Sequence, residues 1–286
     1  MFGARVVIDE EKALEELVGR GIRIPPQPDI LVELSARLQD GDYDAASLAA
    51  LISRDAAIAA MLFKVARSPL FSRGRAPDNL EQVLVRLGLK QTINLARAVA
   101  LSARVPEGSK AILHRFWTRS REIAQLAALV AEDRVSVCNV FPDQAYMAGI
   151  FLECGVPVLM QRFPDYAAGL LSSGSFDLPS VKDEDQRFNV DHCTIGYLVA
   201  RHWRLPDFVA QAILHHYDIP REELGAVRTV VAILQLAIHC HHGINGTENR
   251  VWYRVGVEAL NELGLHPDGL SEFLDEIREA FHARGV

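Results

Sequence analysis

The chain has 286 residues, of which 49% are hydrophobic and 23% are charged, and its formal net charge is −7 at pH 7. A chain of this length and composition can bury a large core. The acidic balance argues against duplex nucleic acid as the main partner, because affinity for nucleic acid comes chiefly from neutralising phosphates. No uninterrupted apolar run approaches the roughly 20 residues that span a bilayer, so we expect no membrane association.

Cysteine usage is sparse. The four cysteines, Cys138, Cys154, Cys193 and Cys240, lie far apart in the sequence and form no Cys-x-x-Cys pair. In a chain with an ample core, such usage is typical of reduced thiols. The pattern therefore predicts a cytoplasmic protein without disulfides.

Helical periodicity dominates the first third of the chain. Asp9 is placed to cap a first helix, Asp44 a later one, and Asn79 a short one that Gly88 ends. Apolar residues at helical spacing predict further helices over residues 29–39, 45–53 and 80–87. Asp55 opens another predicted helix, in which Ile58, Met61, Leu62 and Val65 recur at helical spacing.

The rest of the chain also predicts helices, over residues 109–132, 144–163, 191–201, 206–217, 227–239, 248–263 and 269–284. Val135, Val137 and Val140 make residues 134–140 the best strand candidate, but we predict a link between helices there. The polar tract 172–186 is predicted to be a loop. These elements predict an all-α fold whose two helical halves pack closely, since no Gly/Ser-rich linker separates them.

Several segments together resemble an HDOD domain. They are residues 24–28 (IPPQP), 51–57 (LISRDAA), 80–83 (LEQV) with 87–89 (LGL), 116–120 (FWTRS), the Leu152-Glu153 pair, Asp191-His192 with Gly196, and 203–206 (WRLP) with His215-His216. The sequence departs from the family at Arg67, where the family usually has Asn. The resemblance implies an all-helical fold related to HD phosphohydrolases but lacking their metal ligands, and a role in bacterial signalling. It spans about residues 22–220, which leaves an N-terminal helix (1–21) and a helical extension (221–286) packed on the domain.

The positions of the HD metal ligands are changed in this chain. An HD hydrolase needs a first His, a His-Asp pair and a later Asp around metal ions that activate water. By register, Arg119 stands at the first His, Leu152 and Glu153 at the pair, and Gln235 near the last Asp. A leucine offers no lone pair and an arginine repels a cation. We therefore expect no bound metal, no cofactor and no hydrolase activity.

The resemblance nevertheless predicts a degenerate pocket formed by Arg119, Glu153, His192, His215 and His216. Imidazole is a good metal ligand, so the three histidines could rebuild a metal site. The alternative is that they cap helix ends or form hydrogen bonds in a polar core. We favour this alternative, because structural metal sites require four ligands and supporting contacts.

A second histidine cluster is His239-Cys240-His241-His242. Cys/His-rich tracts suggest zinc, and His239 and His242 lie three residues apart. Gly243 follows, however, as a predicted helix C-cap, and histidines in the last turn of a helix suit the negative end of its dipole. Since no matching Cys or His pair is present, we favour this structural role.

A basic stripe is the third candidate. Lys90, Arg97 and Arg104 are seven residues apart, in a segment from 64 to 104 where eight basic residues face only two acidic ones. The stripe could be a docking face for an acidic partner or an anion site for a nucleotide phosphate. The alternative is a solvated helix face.

Three classes of function remain open at this point. We favour a non-catalytic signalling or scaffold module that binds a signalling protein partner or a nucleotide ligand, with a homo-oligomer also compatible. The second class is a residual metal phosphohydrolase using Glu153, His192, His215 and His216. The third is a regulator that contacts nucleic acid through the basic stripe, against which the acidic total counts.

Overall fold

The computed structural model describes residues 9–25, 29–41, 43–67, 76–102, 110–166, 180–220 and 222–283. These residues form 15 α-helices and two short 3-10 helices, with no strand among them. The predicted all-α class is confirmed. Across the described ranges, the structure has no helix with both the length and the apolar character needed to cross a membrane.

Six helices form the first part: α1 (Glu10–Gly19), α2 (Asp29–Asp40), α3 (Ala45–Ile52), α4 (Ala56–Ala66), α5 (Leu80–Leu87) and α6 (Leu89–Ser102). Their predicted caps are confirmed. The carboxylate of Asp44 accepts the Ser47 amide at 2.6 Å, and the Asn79 side chain accepts the Gln82 amide at 2.8 Å. These bonds satisfy backbone donors that would otherwise be unpaired at the helix starts.

The second part contains α7 (Lys110–Cys138), α8 (Pro142–Phe151), α9 (Val156–Arg162), α10 (Val181–Phe188), α11 (His192–His202), α12 (Asp207–His215), α13 (Ala226–Ile244), α14 (Trp252–Glu262) and α15 (Leu270–Ala283). The two 3-10 helices are Glu222–Leu224 and Pro267–Gly269. Arg201 of α11 forms an ion pair with Glu10 of α1, with the atoms 2.7 Å apart, so the N-terminal helix is attached to the second half.

Two connections predicted from the sequence are helical instead. The prediction of a link over residues 134–140 is wrong for most of its length, because α7 continues to Cys138. Arg134 lies over the Phe273 ring of α15, 5.5 Å from its centroid, which anchors this part of α7. The loop predicted over 172–186 is wrong from Val181 onward, where α10 begins with its Ser180 cap. Residues 172–179 lie outside the described residues.

The helix predicted over 144–163 is interrupted. Residues 152–155 form a turn between α8 and α9, so Leu152 and Glu153 follow a helix end instead of lying within a helix. Pro157 is the second residue of α9, in the first turn, where a missing backbone N–H is tolerated. Gly155 lies against α11: a Cβ there would collide with the carbonyl oxygen of His192 and lie 2.8 Å from the Gly196 nitrogen. The turn thus brings Glu153 next to the start of α11.

The core consists of two apolar clusters that share α7. Phe116 and Trp117 belong to the first cluster, which joins α1–α6 to α11 and α12. Ile123, Leu126 and Leu129 belong to the second, which α13, α14 and α15 complete. Because the first cluster contains residues of both helical halves, the two halves pack closely, as the sequence predicts.

Candidate functional site

A buried ion pair joins α7 to the turn that follows α8. Arg119 of α7 donates through Nη1 to Oε2 of Glu153, and their side chains are 12% and 5% exposed. Burial raises the pKa of the Glu153 carboxyl, but the charge and hydrogen bond of Arg119 more than offset this, so the pKa lies below its ordinary value. Leu152 points into the second apolar cluster and is buried. The carboxylate is therefore engaged by an internal cation.

A second network surrounds the start of α11. Glu184 of α10 is fully buried, and its Oε1 accepts the Tyr166 hydroxyl at 2.6 Å. Its Oε2 lies 2.6 Å from His192 Nδ1 and accepts the His192 backbone amide at 2.8 Å. The three contacts hold both the carboxylate and the imidazole in one orientation.

His216 follows α12 and lies beside this network. Its Nδ1 is 2.8 Å from the carbonyl oxygen of Ile213, and its ring centroid is 5.6 Å from that of His192. The Sγ atom of Cys193 lies 3.8 Å from the same Nδ1. Gln235 of α13 donates its amide to the His216 carbonyl oxygen, which fixes the end of α12.

The charges of the cluster shift two pKa values in opposite directions. Burial alone would raise the pKa of the Cys193 thiol. His192 and His216 have the larger, opposite effect and lower this pKa to about 7. Burial lowers the pKa of His192, but Cys193, Tyr217 and Glu184 raise it well above its ordinary value. The thiolate form of Cys193 is therefore stabilised by imidazole neighbours.

The structure brings four of the five predicted pocket residues close to one another. Arg119 and Glu153 are paired, and the imidazoles of His192 and His216 lower the pKa of Glu153 further. His215 is half-buried and does not belong to the cluster of candidate ligand atoms found among the described residues. Sequence reasoning missed Cys193 and Glu184. Their signals were weak: Cys193 follows His192 directly, and Glu184 lies in an acidic tract that was predicted to be a loop.

The side chains of the second histidine cluster diverge. His239 stacks on Trp252, with centroids 4.3 Å apart and an interplanar angle of 5°. His241 Nε2 lies 2.9 Å from Glu122, and His242 Nδ1 lies 2.8 Å from the Thr247 hydroxyl. The helix continues past Gly243 to Ile244, so the expected stop at that glycine is wrong. Each histidine serves a different packing contact.

The basic stripe does not form one exposed face. Lys90 is exposed, but Arg97 is only 8% exposed, so the expectation of a solvated side chain is wrong there. Its Nη1 donates to Asn94 Oδ1 at 3.2 Å and to the Arg204 carbonyl oxygen at 3.3 Å. Burial, together with the charge of Arg204, lowers the pKa of Arg97 to about 10. Arg104 lies outside the described residues.

Replacing Arg97 should therefore affect stability more than interaction. We expect Arg97→Ala to lower the free energy of unfolding by about 2 kcal/mol, because it removes packed methylenes and leaves buried acceptors without a donor. The matched variant Lys90→Ala, on the same helix but exposed, should change it by no more than about 0.5 kcal/mol. Urea unfolding of the two variants measures both values. Equal effects would contradict the buried placement of Arg97.

Comparison with known proteins gives a family and a fold. Residues 24–219 match the HDOD domain family. A candidate metal-dependent phosphohydrolase from Shewanella amazonensis SB2B has 19% identity and a TM-score of 0.65, covering 96% of this chain and 97% of that one. A candidate signal transduction protein from Marinobacter aquaeolei VT8 has 20% identity and a TM-score of 0.65, covering 98% of this chain and 66% of that one.

A curated relative is longer than this chain. An uncharacterized protein of Treponema pallidum (strain Nichols) is 24% identical over 221 residues. The match covers 75% of this chain and 42% of the relative, so the chain spans about two fifths of the protein it matches.

Proposed function

Because this chain belongs to the HDOD domain family, we propose that it is a non-catalytic signal-transduction or scaffold module that binds a signalling protein or a nucleotide ligand. We further propose that residues 22–220 are the binding domain, with the helix in residues 1–21 and the extension 221–286 supporting it. The contacts of α13–α15 with α7 support this division, since they attach the extension to the domain through one shared apolar cluster.

The buried Arg119–Glu153 pair is the observation that supports a non-catalytic role. A general base or metal ligand must present its oxygen to the substrate or to the ion. By the sequence register, the ligand positions of HD hydrolases correspond to Arg119, Leu152, Glu153 and Gln235. Glu153 has the one carboxylate among them, and it accepts a charge-assisted hydrogen bond from Arg119. Releasing Glu153 would leave the guanidinium buried without that partner, which is unfavourable.

The metal ions of HD hydrolases do not fit these four positions. Arg119 carries a positive charge, and the Leu152 side chain has no donor atom. Gln235, near the last ligand position, directs its amide nitrogen to the His216 carbonyl oxygen. Only Glu153 remains a candidate ligand, and one ligand is too few for a catalytic metal site.

A residual phosphohydrolase is the second candidate, and one observation favours it. His192 and His216 are buried beside Glu153, and imidazoles are common ligands of catalytic metals. The ion pair argues against it, because Arg119 engages the Glu153 carboxylate that such a site would need.

Restoring one ligand should not restore catalysis. We expect neither the parent protein nor Leu152→His to hydrolyse phosphomonoesters or cyclic dinucleotides above a protein-free blank with Mg²⁺, Mn²⁺, Fe²⁺ or Zn²⁺, because the remaining ligands would still be absent. Product formation followed by chromatography is the measurement. Turnover by the parent that His192→Ala abolishes would contradict the proposed function.

Binding is tested directly by thermal unfolding with cyclic dinucleotides and by affinity capture of protein partners at two salt concentrations. A ligand that binds the folded state raises the unfolding temperature, and the rise grows with the logarithm of its concentration relative to Kd. If the exposed Lys90 belongs to the contact surface, Lys90→Glu should weaken association more at low salt than at high salt. An affinity that changes neither with Lys90→Glu nor with salt would show that the contact surface lies elsewhere.

A further inference from the structure

His192 and His216 each have one ring nitrogen with a polar partner and one without. In His192, Nδ1 faces the Glu184 carboxylate at 2.6 Å, and Nε2 has no hydrogen-bond partner. The side chain is fully buried. Buried polar atoms are nearly always paired, so an unpaired ring nitrogen indicates a missing partner.

His216 repeats this arrangement. Its Nδ1 lies 2.8 Å from the Ile213 carbonyl oxygen, which can only accept, so Nδ1 carries the hydrogen. In the neutral ring, Nε2 then has the lone pair, and this atom also lacks a partner although the side chain is only 1% exposed. In both imidazoles of this buried cluster, Nε2 thus has no hydrogen-bond partner.

Cys193 adds a third donor. The described residues contain one group of candidate metal ligands, formed by His192, Cys193 and His216, whose ligand atoms lie within 4.8 Å of one another. Around a tetrahedral zinc ion, with bonds of about 2.0–2.3 Å, ligand atoms lie about 3.3–3.8 Å apart. The three side chains therefore lie near the spacing that a tetrahedral ion requires, and small side-chain movements would close the group on it.

The donor set selects the type of metal. Imidazole nitrogen and thiolate sulfur suit Zn²⁺, whereas Mg²⁺, Ca²⁺ and Mn²⁺ prefer oxygen ligands. The contacts behind the rings are also those of metal-binding histidines, which direct their other N–H to a carboxylate or a backbone carbonyl. Glu184 does this for His192, and Ile213 does it for His216.

We propose that His192, Cys193 and His216 bind one zinc ion, with a water molecule in the fourth position. The proposal goes beyond the proposed function and departs from the sequence-based expectation of no bound metal. It uses none of Arg119, Leu152 or Gln235. His192 and Cys193 begin α11 and His216 follows α12, so the buried ion would connect these two elements.

The test uses the full chain unfolded with a chelator and then refolded, because a buried site exchanges its ion slowly. Refolding with Zn²⁺ should give one zinc per chain by elemental analysis and a higher unfolding temperature than refolding without it. Refolding with Co²⁺ should give the intense near-ultraviolet charge-transfer absorption of a cobalt–thiolate bond. A folded parent protein with no stoichiometric zinc and no such absorption would overturn the proposal, and would indicate that water pairs with the two nitrogens.

Matched variants assign the ligands. Cys193→Ala should abolish the cobalt–thiolate absorption, whereas Cys240→Ala, which removes a buried thiol from another cluster, should retain it. Glu184→Gln should weaken zinc affinity by about 10- to 100-fold, as loss of a supporting contact commonly does. Absorption that persists in Cys193→Ala, or disappears equally in Cys240→Ala, would overturn the assignment. If Cys193→Ala does not fold, the zinc content and cobalt spectrum of the parent decide the proposal.

The two proposals fail in different ways. Zinc without phosphoesterase activity supports both. Zinc-dependent turnover would overturn the non-catalytic function and retain the site, whereas a protein with neither zinc nor turnover would retain the function and overturn the site.

Discussion

Replacing Arg119 with methionine should lower the free energy of unfolding by about 3–5 kcal/mol at neutral pH, because it leaves the Glu153 carboxylate buried without its cation. Urea unfolding of parent and variant measures the difference. The double variant Arg119→Met with Glu153→Leu should recover most of the loss, since two apolar groups need no partner. A double variant less stable than Arg119→Met alone would contradict the pairing.

Acid should reduce the effect of that substitution. In the parent, the pKa of Glu153 is lowered, so the pair stabilises the fold above the ordinary carboxyl pKa of 4.5, and the stabilisation is lost as the pH falls through the lowered value. Without Arg119, burial should raise the pKa of Glu153. Protonation of this carboxyl as the pH falls from neutral then removes the unpaired buried charge from the variant. The stability difference should therefore be smaller at pH 5 than at pH 7. A difference independent of pH would contradict this electrostatic origin.

Gly155→Ala should destabilise the protein by about 3 kcal/mol or more, because the added methyl group would collide with the backbone of α11. The atoms in its way are the His192 carbonyl oxygen and the Gly196 nitrogen, which cannot move like a side-chain tip. Backbone strain does not contribute, since φ at Gly155 is −72° and any residue can adopt it. Thermal and urea unfolding are the measurements.

Gly243→Ala is the matched control for that clash. Gly243 lies within α13, and a Cβ there would meet no atom within 4 Å. Alanine should leave stability unchanged or raise it by up to about 1 kcal/mol, because it is the better helix former. Equal losses in both glycine variants would show that the approach of the turn to α11 is not the cause.

Local signals account for what the sequence predicted well. Asp44 and Asn79 cap their helices through atoms three residues away, and such contacts need no knowledge of the fold. The misplaced boundaries depend on distant residues instead. The end of α7 packs on Phe273, and the turn at Gly155 is shaped by α11, so neither is visible in local periodicity.

The site follows the same division. The family register placed Arg119, Glu153, His192 and His216 near one another, and the structure brings them together. The burial of Arg97 was not predicted, because heptad spacing shows which residues share a helix face but not what covers that face. The register also missed Glu184, whose partners Tyr166 and His192 lie on either side of it in the sequence but in separate elements.

The Arg119–Glu153 pair also constrains how this sequence can change over evolutionary time. A substitution at either position alone leaves a buried charge unmatched, so the first of two steps carries a stability penalty that the second step removes. Natural proteins have only a small stability reserve to absorb such an intermediate. The two positions therefore constrain each other, and replacing both residues by single mutations requires passing through a less stable intermediate.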